Sequence, residues 1–484
     1  MVLSLYLYVN GLMSGRCSFD KAIPLRAYPA GSQPALALDV SISVGLYSRP
    51  WKNSDAGAGR FRHAQPASKA IANLRAYYHP ENLTRTQVAY APYRAAPLGA
   101  HVDHQGGLVT GFATGEGILV VFARRENTNV CEVRSTHVSD GDVVRFEDNN
   151  TWDENCPPTG WHRYVCGAAT LVRRLKPEHS LAGLVACVHT TTPGLHGQGV
   201  SSSAALTAAL AAAMLEGAPG SVTPDDLVRL CRSVENDFCG LSCGILDMAV
   251  IVNSRRNHLL LVDCHAHDRL NESLSKCAHL LSAPSDVACE ALLVFSGVRS
   301  NLAAEGGSPS PYNQRVAECR DAAQSIHAGA ELLADVPTSS FLRRGGLLAA
   351  KHPHLFRRAA HYFGERQRVL DGCELFAKGK FAEFGMLMTE SCHSSIHNYE
   401  CGCAPLRSLF EALVQTRGVL GARYSGAGFR GAVLALCERG AGVTSGEMVL
   451  EQYRATHPEY ADDATYLVCN LEDGLVVFDG DDIV

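Results

Sequence analysis

The chain has 484 residues, 46% of them hydrophobic and 19% charged, with a formal net charge of −6. That balance supports a large buried core and excludes wholesale disorder, and the length suggests about three domains. No sustained Lys/Arg block is present, which argues against a nucleic-acid partner, and no apolar run reaches the ~18 residues of a membrane span, so no membrane partner is expected.

Residues 1–85 stand apart in composition. They are rich in Ala, Ser, Gly and Pro and carry many more basic than acidic side chains. Such acid-poor, Ser- and Arg-bearing N-termini are those of organelle transit peptides or of disordered extensions. The segment is expected to be poorly structured and to lie outside the catalytic fold. The chain is then expected in the cytoplasm, or in a plastid if the extension is a transit peptide.

From Gln87 the pattern changes. Val88, Ala89, Tyr90 and Ala91 read as a strand, and residues 117–122 (Gly-Ile-Leu-Val-Val-Phe) as a buried one. A helix is expected from Trp161, a strand over 184–188 and a helix over 204–215, where Ala and Leu have high helix propensity. The next helical stretch covers 232–253. After a strand at 291–295 come a helix from Asn313, helices over about 355–387, and a strand at 432–436. Alternating strands and helices in 86–288 and again in 289–484 indicate an α+β fold of two domains, with no internal repeat. The 18 cysteines follow no repeating spacing and sit mostly in apolar segments, as reduced thiols used as small hydrophobes. His393, His397, Cys401 and Cys403 have spacing on which a zinc site is conceivable, but Cys-x-Cys chelates awkwardly.

The most informative run is Gly197-Gln198-Gly199-Val200-Ser201-Ser202-Ser203, directly before the Ala-rich helix. Its glycines permit a tight turn around a ligand. Backbone N–H groups converge at a helix N-terminus, which favours an anion. The run therefore reads as a phosphate cradle with hydroxyls available to a metal ion. No Lys follows the glycines, so this is not the usual P-loop.

Two further stretches sharpen the reading. One is 94–107, Arg-Ala-Ala-Pro-Leu-Gly-Ala-His-Val-Asp-His-Gln-Gly-Gly; the other is 425–431, Ser-Gly-Ala-Gly-Phe-Arg-Gly. With the cradle they resemble, in order, the three motifs of the GHMP small-molecule kinases. The first is similar to the galactokinase signature, and most of all to its form in plant-type galacturonokinases. The resemblance runs from about Val88 nearly to the C-terminus. It implies two domains with the active site in the cleft between them, ATP and Mg²⁺ as cofactors, a small sugar acid as substrate, and no metal on the 390–405 segment.

The same resemblance implies roles. Gly197, Gly199, Ser201, Ser202 and Ser203 would cradle ATP, with Gly426 and Gly428 of the third motif. Trp161 lies in a segment near adenine in galactokinases, or is a core residue. Asp247, in a segment similar to Met-Pro-Cys-Gly-Ile-Met-Asp, would be the base, and Arg94 the cation beside it that also neutralises transferring charge. Glu235 would bind Mg²⁺ with Ser203, Asp237 being the rival carboxylate. His101, Asp103 and Tyr312 match sugar-binding positions.

Position 100 departs from galactokinases, which carry Glu there against the sugar's C6 hydroxyl. A uronic acid has a carboxylate at C6. Two like charges ~4 Å apart at an effective dielectric near 20 repel by about 4 kcal/mol, roughly three decades of discrimination. Ala100 removes that repulsion. Arg430 stands where galactokinases have Gly; its guanidinium could pair the carboxylate bidentately, or face ATP or solvent, with His104 the weaker candidate. The reading is an ATP-dependent sugar-1-kinase acting on D-galacturonate. The alternatives are a galactokinase with relaxed specificity and an inactive galactokinase-like sugar sensor. Retention of Asp247, Arg94, Glu235 and the three serines disfavours the sensor.

Overall fold

The computed structural model describes residues 43–45, 62–136, 142–148, 158–284, 288–299 and 310–482. A nine-stranded sheet is built from β1 (Ser43–Gly45), β2 (Gln87–Ala95), β3 (Leu108–Arg124), β4 (Val130–Ser135), β5 (Val143–Glu147), β6 (Leu184–Thr190), β7 (His258–Asp263), β8 (Ala278–Ser282) and a last strand near the C-terminus. β9 (Cys289–Phe295), β10 (Val419–Tyr424), β11 (Ala432–Glu438) and β12 (Thr465–Cys469) form a second, four-stranded antiparallel sheet in the order β10-β11-β9-β12. The last strand, β13 (Val476–Asp479), pairs antiparallel with β2. The chain therefore returns to the first sheet after building the second, and residues 476–479 belong structurally with the first half rather than with 289–484.

The period of two along each strand sorts side chains to opposite faces. On β2, β3 and β6, Val88, Tyr90, Leu119, Val121, Ala123, Val185 and Cys187 face one way, and with Phe478 they pack on α1 (Ala64–Tyr77) through Ala67, Ala70, Ile71 and Leu74. Their neighbours Ala89, Ala91, Tyr93, Ile118, Val120, Phe122, Leu184, Ala186 and Val188 join the main core. That core contains α2 (His162–Leu175), α3 (Ser202–Met214), α4 (Pro224–Ser233) and α5 (Leu246–Asn253). α3 is buried from Ala204 to Met214 at every position but Leu206, as its Ala-rich composition allows.

This corrects the expectation for the N-terminal stretch. Most of 1–61 lies outside the described residues. Over 62–85, however, the segment is not an unstructured extension: α1 seals one face of the sheet. Ion pairs pin its ends, Arg62 to Glu116 at 4.0 Å and to Glu472 at 3.7 Å, and Arg75 to Asp481 at 3.4 Å. Among the described residues no helix is long and apolar enough to cross a membrane.

The stretch expected to be helical over 232–253 is two helices, α4 and α5. Between them lie a π-helical turn (Val234–Phe238) and an irregular segment. The break occurs at Gly240, whose φ is +69°, and Gly244, where a Cβ would sit 2.5 Å from Asp103 Oδ2. The remaining helices of the second half, α6 (Pro311–Ile326), α7 (Thr338–Lys351), α8 (Pro353–Ala377), α9 (Phe381–Ser394), α10 (Ala404–Gln415) and α11 (Gly442–Thr456), complete the fold.

Candidate active site

The loop into α3 is a tight turn at both glycines, with φ of +70° at Gly197 and +80° at Gly199. Ser201 is also left-handed at φ +55°, an uncommon state for a side-chain-bearing residue. Its hydroxyl donates to Asp247 Oδ2. The Gly197 N–H donates to Ser202 Oγ at 3.2 Å, closing the turn, and Ser203 Oγ donates to Glu235 Oε1 at 2.7 Å. The three consecutive hydroxyls thus have three different partners.

Asp247 stands in the first turn of α5. Arg94, on β2 and almost fully buried, donates from Nε to Asp247 Oδ1 at 2.6 Å and from Nη1 to the Gly199 carbonyl at 3.0 Å. One guanidinium therefore ties the carboxylate to the cradle, and Asp247 is held by a cation on one oxygen and a hydroxyl on the other. Glu235 is buried in the π-turn, whereas Asp237 two residues on is exposed, so the turn sends one carboxylate inward and the other outward. Burial, with Asp247 next in weight, pushes Glu235 up to about 7.

Asp103 follows the first-motif turn and lies against Gly244. Burial first, then the charge of Asp247, pushes its carboxyl up to about 6. Tyr312, at the start of α6, is buried, and its hydroxyl pKa is raised by burial and then by the charge of Asp103. His104 meets the Tyr312 ring edge-on at 5.8 Å, and its Nε2 lies 3.2 Å from the Tyr399 hydroxyl. His101 is stacked on Tyr399 at 4.5 Å, with Cys401 Sγ 3.6 Å from its Nε2. Ala100 is buried, 2% exposed.

The third loop closes the site from the second sheet. Ser425 Oγ donates to the Gly199 carbonyl at 2.8 Å. A Cβ on Gly426 would sit 2.8 Å from that oxygen, and one on Gly428 would sit 3.0 Å from His101 Cε1. Backbone meets backbone at Gly426, buried side chains crowd Gly428, and both are left-handed at φ +65° and +73°, which is why glycine is favoured at each. Arg430, in the same loop, is exposed. Trp161 lies in the core, its Nε1 donating to Asp142 Oδ2 at 2.7 Å, while Tyr164 one turn later interacts with Ser203 and Cys239.

Arg94, Asp247, Glu235, the serines and Asp103 are thus gathered in one place. Four residues around it stand outside the motifs marked in the sequence: Tyr399, Arg423, Glu365 and His361. Buried Arg423 donates from Nη1 to the Ala96 carbonyl at 3.0 Å, bracing the strand end that leads to Ala100. All four lie more than 250 residues from the first motif, and no local spacing marks them.

Comparisons with known proteins point to one family. Residues 163–255 match the GHMP kinases N terminal domain and residues 374–446 the GHMP kinases C terminal domain. The chain is 34% identical over 407 residues to a galacturonokinase of Arabidopsis thaliana, covering 80% of this chain and 92% of that one. It is 30% identical over 415 residues to a galactokinase of Bos taurus, covering 85% and 97%. The structure of Lactococcus lactis galactokinase complexed with galactose aligns with a TM-score of 0.71 at 23% identity, covering 84% of this chain and 99% of that one, a likeness of fold.

Proposed function

The chain belongs to the GHMP kinases as a sugar kinase of the galactokinase and galacturonokinase type, and from that premise we propose that it transfers the γ-phosphoryl group of ATP to the anomeric hydroxyl of D-galacturonate. The product is α-D-galacturonate 1-phosphate.

Asp247 is the base. Its carboxylate, set between Arg94 and Ser201, takes the proton of the anomeric hydroxyl as that oxygen forms the new bond to phosphorus and the bond to the departing ADP oxygen breaks. Phosphoryl transfer depends mainly on positioning and charge neutralisation. Arg94 supplies charge neutralisation from the base side, and the left-handed cradle at the head of α3 supplies backbone donors. Asp103 accepts hydrogen bonds from the sugar hydroxyls, with Tyr312 and His101 shaping the pocket.

Glu235 and Ser203 suit Mg²⁺. They offer hard oxygens 2.7 Å apart, and the carboxyl of Glu235 is pushed up to about 7, so a nearby cation would favour its ionised form. When bound, the ion would neutralise nucleotide phosphate charge. The exposed Arg430 is a candidate partner for the substrate carboxylate only if its side chain turns into the cleft.

The observation that carries the choice of sugar is Ala100, a buried methyl at the position where galactokinases place a carboxylate. The 34% identity to a galacturonokinase supports the same choice. The test is ATP consumption with galacturonate, galactose and glucuronate side by side. Galacturonate should give the highest kcat/KM, and a preference for galactose would overturn the assignment.

A further inference from the structure

The turn that carries Ala100 is held from behind by two side chains one helical turn apart on α8. Glu365 Oε2 accepts the Gly99 N–H at 3.0 Å and the Ala100 N–H at 2.9 Å, together with the Ser391 hydroxyl at 3.1 Å. Its other oxygen accepts from Arg368 Nε at 2.7 Å. His361 Nε2 lies 2.8 Å from the Ala100 carbonyl oxygen, and its Nδ1 lies 2.9 Å from Ser394 Oγ. A carbonyl oxygen can only accept, so Nε2 carries the proton and Nδ1 accepts the serine hydroxyl. Asn398 Nδ2 in turn donates to Ser394 Oγ at 3.2 Å. Both polar backbone groups of Ala100 are therefore taken up by one helix of the second half.

The turn requires such support. Gly99 has φ +87° and a Cβ there would sit 2.6 Å from Val109 Cα. His101 is left-handed at φ +55° without being glycine, a conformation that persists only where the surroundings impose it. Glu365 and His361 are themselves 0% and 1% exposed, so they act on substrate only through the turn.

We propose that His361 and Glu365 are positioning residues for sugar specificity: by clamping Ala100 at both its N–H and its C=O, they fix the wall of the site that faces the sugar's C6 group. The inference rests on the reading that position 100 faces C6.

A pair of polar substitutions tests it in the full chain. Asn at position 361 keeps a polar group near Ser394 but is too short to reach the Ala100 carbonyl, while the Gln amide nitrogen reaches where Nε2 stands. His361→Asn should raise the KM for the preferred sugar about tenfold, the usual scale for one unsatisfied buried group, with the KM for ATP within about twofold of wild type. The galacturonate-to-galactose ratio of kcat/KM should fall with it, and His361→Gln should restore both to within about threefold. Glu365→Gln sets an amide against either the two turn N–H groups or Arg368. It should give the same split between sugar and ATP, and stands in if the Asn variant does not fold. Sugar and ATP KM moving in parallel, or an unchanged sugar KM, would overturn the clamp. Should galactose prove the preferred sugar, the proposed function fails, while the Asn and Gln comparison made with galactose still decides the clamp.

Discussion

Asp247, Arg94 and Ser201 form a unit in which both oxygens of the Asp247 carboxylate have a partner before any substrate arrives. Such pre-arrangement lowers the reorganisation needed when charge develops. Asp247→Asn preserves shape and removes the proton acceptor. It should cost at least about a hundredfold in kcat, the lower range for a general base, while equilibrium binding of sugar and nucleotide stays measurable; near-normal turnover would contradict the assignment. Glu365 gives a prediction with a defined sign. The Arg368 guanidinium and neighbouring donors overcome its burial and hold its carboxyl down, from an ordinary value of 4.5 to about 2. A depressed folded-state pKa contributes stability that is present above the unfolded value and is lost as pH falls toward the folded one. The melting-temperature gap between wild type and Glu365→Gln should therefore be widest near neutrality and narrow between about pH 4.5 and pH 2. A gap independent of pH would show that the ionised carboxylate is not what matters.

At the scale of elements, α1 decides what a truncation does. It covers Val88, Tyr90, Leu119, Val121, Val185 and Cys187 on one face of the sheet. Removing residues 1–85 would bare these side chains, and each large one costs about 1.5–3 kcal/mol when exposed. The truncated chain should lose solubility or melt well below the full one, read by scanning calorimetry; an unchanged melting temperature would show that α1 is dispensable. The helix is legible in the sequence. Ala67, Ala70, Ile71 and Leu74 recur at i, i+3, i+4 and i+7, the spacing of an apolar helix face, although the composition around them, rich in Ala, Ser and Gly, is that of a disordered extension. The cradle, by contrast, was readable because its glycines, hydroxyls and helix start are contiguous. The break between α4 and α5 was not, since the approach of Asp103 to Gly244 is a contact between segments distant in sequence.

Across the whole molecule, the residues proposed for chemistry and for specificity come from opposite halves. The first half carries Arg94, Glu235 and Asp247, all within the 94–247 stretch; the motif and segment resemblances proposed them, and the structure brings Arg94 and Asp247 into contact. The second half backs the wall through Glu365 and His361 behind Ala100, while Ser425 holds the Gly199 carbonyl of the cradle and Gly428 lies against His101. Only the third loop announced itself as a motif, because the other contacts form when helices far along the chain fold back. On the proposed function, an uncharged, clamped position 100 admits a sugar acid where a carboxylate would repel it. The most direct measurement is the galacturonate-to-galactose ratio of kcat/KM in wild type and in Ala100→Glu. Repulsion of about 4 kcal/mol between like charges at ~4 Å predicts that the ratio falls by up to about three decades, with galactose turnover retained or raised; a ratio that does not change would contradict the claim that position 100 faces the C6 carboxylate.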